Sequence, residues 1–165
     1  MQDKAQWLEQ MMAQWETSLL RLCFAYLHDA SLAQDAVQET FLKAWMGYEH
    51  YRRDARESTW LTRIAVNVSK DMLKSAYARH TDLSTALETL PAGGAFSPAD
   101  DTVTQAVMAL PLKYREAVIL RWLQGLSGEE TARVLRIPRS TVYHRLNKAQ
   151  QLLKEALEEW YHEAD

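Results

Sequence analysis

Ser127 to Lys154 reads SGEETARVLRIPRSTVYHRLNKAQQLLK, and it contains a helix start, a tight turn and a second, basic amphipathic helix. Ser127 followed three residues later by Glu130 is a capping box, in which a hydroxyl and a carboxylate satisfy backbone N–H groups that have no partner within the helix. Ala132 is small enough for a close helix approach, Leu135 and Ile137 flank the turn, and Pro138 suits the first turn of a new helix. Val142, Leu146, Ala149 and Leu153 then recur at steps of three and four, which directs one apolar stripe inward and leaves Arg139, Tyr143, Asn147 and Lys148 outside. From Thr131 to Lys154 there are six bases and no acid, in a chain of net charge -3. A local cationic face on an acidic protein fits a polyanion, because each phosphate contact releases counterions. A solvated face on an ordinary helical hairpin carries the same pattern.

Working outward, 165 residues with 47% hydrophobic side chains suffice for one domain or two small ones. Five Gly and four Pro among many Ala, Leu, Gln, Glu and Arg favour helix throughout, and no alternating β-branched run predicts a strand. The single cysteine, Cys23, lies in an apolar run, cannot form an internal disulfide and reads as a small core residue in a reducing cytosol. Neither a signal peptide nor a membrane-spanning apolar stretch is visible, so a cytoplasmic protein without membrane insertion is expected.

Charge blocks divide the chain. Residues 1–50 hold three bases and seven acids, 51–79 seven bases and three acids, and 80–110 four acids with neither Lys nor Arg. A neutral 111–130 precedes the basic 131–154, and the last eleven residues hold five acids and no base. Two basic segments thus flank an acidic spacer. His80 to Asp100 contains Leu90-Pro91-Ala92-Gly93-Gly94 and Ser97-Pro98, which break helices, and it reads as a flexible linker. At about 3.3 Å per residue it extends to roughly 70 Å, close to two turns of B-DNA. The halves either reach DNA sites two turns apart or are ordinary domains on a tether.

The N-terminal half predicts three helices: about Lys4 to Leu27, about Ser31 to Met46 with Asp29 or Ser31 as cap, and one from Ser58 or Thr59 to about Arg79. A polar loop, Gly47 to Glu57, precedes the third. In the second helix Val37, Phe41, Ala44 and Trp45 face inward, while Asp35, Gln38, Glu39 and Lys43 face out.

Asp35-Ala36-Val37-Gln38-Glu39-Thr40-Phe41-Leu42-Lys43-Ala44-Trp45, followed by Ser58-Thr59-Trp60-Leu61-Thr62-Arg63-Ile64-Ala65-Val66-Asn67, closely resembles region 2 of the sigma-70 family in its extracytoplasmic-function (ECF, group IV) class. Ala109-Leu110-Pro111-Leu112-Lys113-Tyr114-Arg115-Glu116-Ala117-Val118 together with Ser127 to Leu153 resembles region 4 of the same class. The resemblance implies an all-α chain of two small helical domains joined by a flexible linker: region 2 over 1–79, linker 80–100, region 4 over 101–165.

It further implies an RNA polymerase sigma factor that binds core RNA polymerase and directs initiation at promoter DNA. Asp35, Gln38, Glu39 and Phe41 become the expected core-binding residues, carboxylates and an amide around an apolar anchor. Packing of Phe41 within its own domain is the other reading. Tyr51, Arg52, Arg53, Arg56, Arg63, Asn67, Lys70 and Lys74 match the part that recognises and opens the -10 element, where an extruded base needs a pocket and the backbone needs cations. Trp60 reads as core. Arg136, Arg139, Ser140, Thr141, Tyr143, His144, Asn147 and Lys148 are the expected -35 contacts, with Arg and Asn suited to base edges and the hydroxyls and Lys to phosphates. An anti-sigma partner is implied as well, which gives the expected cytoplasmic factor a route to being held at the membrane.

Two positions depart from the family. Its turn often carries Gly where Arg136 stands, and a left-handed backbone there costs a non-glycine residue about 1 kcal/mol. Tyr143 and His144 occupy positions where the family often has a basic and a small polar residue, which alters the expected -35 contacts. The rival reading is a helix-turn-helix regulator that acts without joining the polymerase; such a regulator should carry a receiver or ligand domain in front, and the first 80 residues show no βα alternation but do carry the region 2 pattern. No phosphate loop, metal-ligand cluster or activated nucleophile appears, so no cofactor, metal, small-molecule substrate or catalytic residue is expected.

Overall fold

The computed structural model describes residues 3–51, 56–78 and 102–163, all of whose regular elements are helical. Its contacts fall into two units, Met1–Ala76 and Tyr77–Asp165. The expected linker 80–100 lies outside the described residues, as do Arg52, Arg53 and Arg79.

The first unit holds α1 (Lys4–Leu27), α2 (Ala30–Met46), a single 3-10 turn (Tyr48–His50) and α3 (Glu57–Ala78). α1 ends where His28 turns left-handed (φ 50°) and its N–H bonds back to Phe24 O. Asp29 then caps α2 by accepting from Leu32 N at 3.0 Å, so of the two expected caps Asp29 serves and the helix begins one residue early. α3 likewise starts at Glu57 rather than Ser58 or Thr59, with an acid in its first turn, where the helix dipole favours negative charge.

Leu22, Cys23 and Tyr26 of α1, Ala33, Ala36 and Ala44 of α2, and Leu61 and Ala65 of α3 are all fully buried. The alanines let backbones approach, and each leucine-sized chain removed from water contributes about 2 kcal/mol. Thr40 is buried because its hydroxyl donates to Ala36 O at 2.7 Å. Cys23 is the expected small core residue; burial pushes its thiol pKa up, with the neighbouring Ser69 hydroxyl acting weakly against it.

The second unit holds α4 (Thr102–Met108), α5 (Leu112–Val118), a π-helical turn (Ile119–Leu123), α6 (Gly128–Leu135) and α7 (Arg139–Glu163). Pro111 starts α5. Arg115, 0% exposed, donates through Nη1 to Met108 O (3.3 Å) and Leu110 O (3.4 Å), placing a cation at the last carbonyl of α4 and at one in the turn just beyond it. The π turn closes through Gln124 N to Ile119 O at 2.9 Å and turns Trp122 and Leu123 outward, while Ile119 and Leu120 stay buried. Gly125, at φ +70°, supplies the left-handed step out of it.

Both halves of the Ser127–Glu130 capping box form, Glu130 N to Ser127 Oγ at 3.1 Å and Ser127 N to Glu130 Oε1 at 3.2 Å. α6 ends at Arg136, which is left-handed at φ 56°, and Ile137 N bonds to Ala132 O at 3.1 Å. Thus α6, turn and α7 make a helix-turn-helix. Val142 and Leu146 pack with Ala117, Ala132 and Ile137; Ala149, Leu152 and Leu153 pack with Leu110, Val118, Val107 and Tyr114.

Candidate nucleic-acid interface

With Val142, Leu146 and Ala149 turned inward, the start of α7 must present its other faces to solvent. Arg136, Arg139, Ser140, His144 and Asn147 are exposed, as is Tyr143 at 39%, while Thr141 and Lys148 are half-buried. Arg139, Tyr143 and Asn147 follow one another at steps of four and so share a face. The Arg139 guanidinium lies 5.5 Å from the Tyr143 ring centre, and its Nη1 stands 3.7 Å from Glu129 Oε1 on α6. Hydrogen bonding to Tyr143, and more weakly the Glu129 carboxylate, raises the Arg139 pKa above its usual value. This surface offers a fixed cation, an amide and hydroxyls on one helix, the set that reads base edges and phosphates in a major groove.

In the first unit, Arg63, Asn67, Lys70 and Lys74 recur along α3 at steps of four, three and four, with Arg56 just before the helix. Asn67 and Lys74 are exposed, and Arg63 and Lys70 half-buried. The chain enters the 52–55 segment through an aromatic cluster. Trp7 stands 4.8 Å from Tyr48 and 6.0 Å from Trp60, and Tyr51 stacks on Trp60 at 4.6 Å. Trp7 Nε1 donates to Glu57 Oε1 at 3.3 Å, while Lys4 Nζ meets Glu49 Oε1 at 3.1 Å and sits 4.2 Å over the Trp45 ring. Trp60 is therefore half-buried and also lines a groove with Lys43, Gly47, His50, Ile64 and Asn67, so a purely core role is too narrow. Lys4 and Trp7 went unrecognised in the sequence because their partners lie more than forty residues away.

Asp35, Gln38 and Glu39 are exposed on α2, lining a groove of about 520 Å³ with Leu42, Lys43, Val68, Asp71 and Met72. Phe41, only 5% exposed, is mostly core, and contributes to the wall of a second groove with Met12, Val37 and Trp45. On α2 the exposed large apolar residues are instead Leu42 (52%) and Met46 (66%), which the inward stripe passes over. Among the described residues no cluster of His, Cys, Asp and Glu can hold a metal, and no helix is long and apolar enough to cross a membrane.

Among the described residues the regular elements are all helical, with a basic helix-turn-helix in one unit and a polar, aromatic-edged bundle in the other, the arrangement of a helix-turn-helix protein. The sigma-70 region 2 model matches residues 11–79 and the sigma-70 region 4 model residues 100–153. The chain is 31% identical to RNA polymerase sigma-H factor of Pseudomonas aeruginosa, covering 93% of this chain and 88% of that one. It is 28% identical to the ECF RNA polymerase sigma factor SigW of Bacillus subtilis, covering 87% and 84%. In fold it is similar to the sigma factor RpoE solved with the anti-sigma factor NepR from Bartonella quintana (TM-score 0.71, 22% identity, 91% and 96% covered). It is also similar to CnrH solved with the cytosolic domain of CnrY (TM-score 0.69, 22% identity, 92% and 87% covered). The chain belongs to the sigma-70 family of RNA polymerase sigma factors, in its ECF class.

Proposed function

We propose that this sigma factor divides its work between the two units, with region 2 over 1–79, a tether over 80–100 and region 4 over 101–165. The observation that supports the reading is that the region 2 match, all but its last three residues, falls on the first unit and the region 4 match on the second, each unit having its own polar surface. Asp35, Gln38 and Glu39 on α2 bind core RNA polymerase, with carboxylates pairing with basic side chains around Leu42 and the accessible part of Phe41. Tyr51, Arg52, Arg53, Arg56, Arg63, Asn67, Lys70 and Lys74 engage and open the -10 element, the cations following the separated backbone and the aromatic ring stacking on a base. Arg136, Arg139, Ser140, Thr141, Tyr143, His144, Asn147 and Lys148 contact the -35 element in the major groove.

The protein acts in the cytoplasm as a non-enzymatic subunit and is restrained by an anti-sigma partner. The similar folds of RpoE and CnrH, solved with NepR and with the CnrY cytosolic domain, support that partner. Run-off transcription with core polymerase tests the whole reading. Promoter-specific transcripts that require this chain are expected; DNA binding that is unaffected by core polymerase, without transcripts, would support the regulator reading instead.

A further inference from the structure

Arg139 and Tyr143 are two exposed side chains one turn apart at the start of α7, and both are held by the first turn of α6. Arg139 Nη1 lies 3.7 Å from Glu129 Oε1, and its guanidinium lies 5.5 Å from the Tyr143 ring centre. Tyr143 in turn lies against Gly128, so closely that a Cβ there would come within 2.5 Å of the phenolic oxygen and 2.9 Å of the ring carbon bearing it. Any larger residue at 128 displaces the tyrosine. Gly128 is buried and Glu129 exposed, so the backbone of one forms the seat and the carboxylate of the other reaches out over it.

We propose that Gly128 and Glu129 are positioning residues for sequence reading: the α6 N-terminus orients Tyr143 and Arg139 so that the guanidinium meets a guanine edge already aligned. This inference rests on the recognition-helix assignment above and adds two residues that touch no base themselves.

The chemistry favours orientation over stability. Glu129 and Arg139 side chains are 69% and 61% exposed, and an ion pair so open to water contributes little to folding. A bidentate contact to guanine O6 and N7, however, requires the guanidinium plane in one orientation, and a free arginine loses many rotamers to reach it. A carboxylate on one side and an aromatic face below restrict those rotamers before DNA arrives. Glu129 also stands beside a surface meant for phosphates, where its own charge is unfavourable. Its removal therefore has two opposite effects: a general gain in DNA affinity and a loss of discrimination. A carboxylate with no role in orientation produces only the first.

The test uses the full chain in holoenzyme with bacterial core polymerase, selecting from promoter duplexes randomised over the -35 region, with a scrambled duplex as the non-specific probe. E129Q is expected to cut base discrimination by about fivefold at one position while binding the scrambled duplex at least as well as the parent. The same E129Q change in an R139A background should leave discrimination where R139A alone puts it. G128A, by moving Tyr143, should lower discrimination with the melting temperature followed in parallel, and E129Q should melt only slightly below the parent, by the small loss of a first-turn carboxylate at the α6 dipole.

Equal gains on all sequences from E129Q, or a discrimination loss that persists without Arg139, would overturn the inference. If R139A and K148A themselves leave -35 binding unchanged, the recognition-helix assignment fails first, and that failure is seen without any change at 128 or 129.

Discussion

Arg136 shows how one backbone angle separates stability from binding. It holds φ 56° at the end of α6, where a glycine avoids the clash of Cβ with the following carbonyl. Arg136→Gly is expected to stabilise the second unit by about 0.5–1 kcal/mol, the clash relief net of glycine's greater unfolded entropy, seen as a higher melting temperature. If the side chain contacts phosphate, the same variant binds all DNA sequences more weakly and with a shallower salt dependence. Asp35 and Glu39 pose the complementary case, since both are exposed and neither holds the core together. Asp35→Lys with Glu39→Lys is expected to abolish co-purification with core polymerase while the helical circular dichroism and melting temperature stay at parent values. Cys23 is the buried counterpart. Its thiol should resist a disulfide reagent in the native protein and react at once in denaturant. Because burial raises its pKa, the neutral thiol favours the fold. That contribution is present below the thiol's ordinary pKa and is lost as the pH rises through the raised one, so stability should fall on the alkaline side and Cys23→Ala should flatten that fall.

At the scale of elements, what was legible is what neighbours in sequence decide. The Ser127–Glu130 box, the apolar stripe of α7 and the break at His28-Asp29 each involve residues at most a few positions apart, so pattern and propensity suffice. Ser127→Ala is expected to destabilise the second unit by about 1 kcal/mol, a drop of roughly 4–8 °C in its melting temperature by calorimetry. What could not be read depends on packing across the chain. Nothing near Trp7 announces Tyr48, Trp60 or Glu57, and nothing near Lys4 announces Glu49 or Trp45. The π turn was invisible too, because its five residues keep an ordinary apolar pattern and only the bond from Gln124 N to Ile119 O distinguishes them. For the candidate site, the outward residues of α2 and α7 and the inward turn of Phe41 followed from helical period alone, whereas the exposure of Leu42 and Met46, which the period does not single out, is a matter of how the helices pack. The hold that α6 has on Arg139 and Tyr143 has no sequence signature at all.

For the whole molecule, the question is what each unit needs from the other. Each has its own buried core, so fragments 1–79 and 101–165 are expected to fold separately, each melting cooperatively with helical circular dichroism. Under the proposed division of work, initiation is expected to need them on one chain, because tethering makes the second contact effectively intramolecular. Removing ten residues from 80–100 shortens the reach by roughly 33 Å at full extension. Promoter-specific run-off transcription should then fall at least tenfold, while both melting transitions remain. A linker-shortened chain that transcribes normally would show that the two contacts are closer together than two turns of DNA.

α7 itself extends this view. It is 25 residues long, about 37 Å, and carries four bases from Arg139 to Lys154, then four acids from Glu155 to Glu163. Its formal charge is zero, yet the arrangement runs in the same sense as the peptide dipoles instead of cancelling them. Such a rod feels torque more than net pull in the field of a polyanion. If Arg139 to Lys148 meet DNA as proposed, this order of charge favours the second unit presenting the basic end of α7 to the duplex and the acidic end away from it, before any base has been touched.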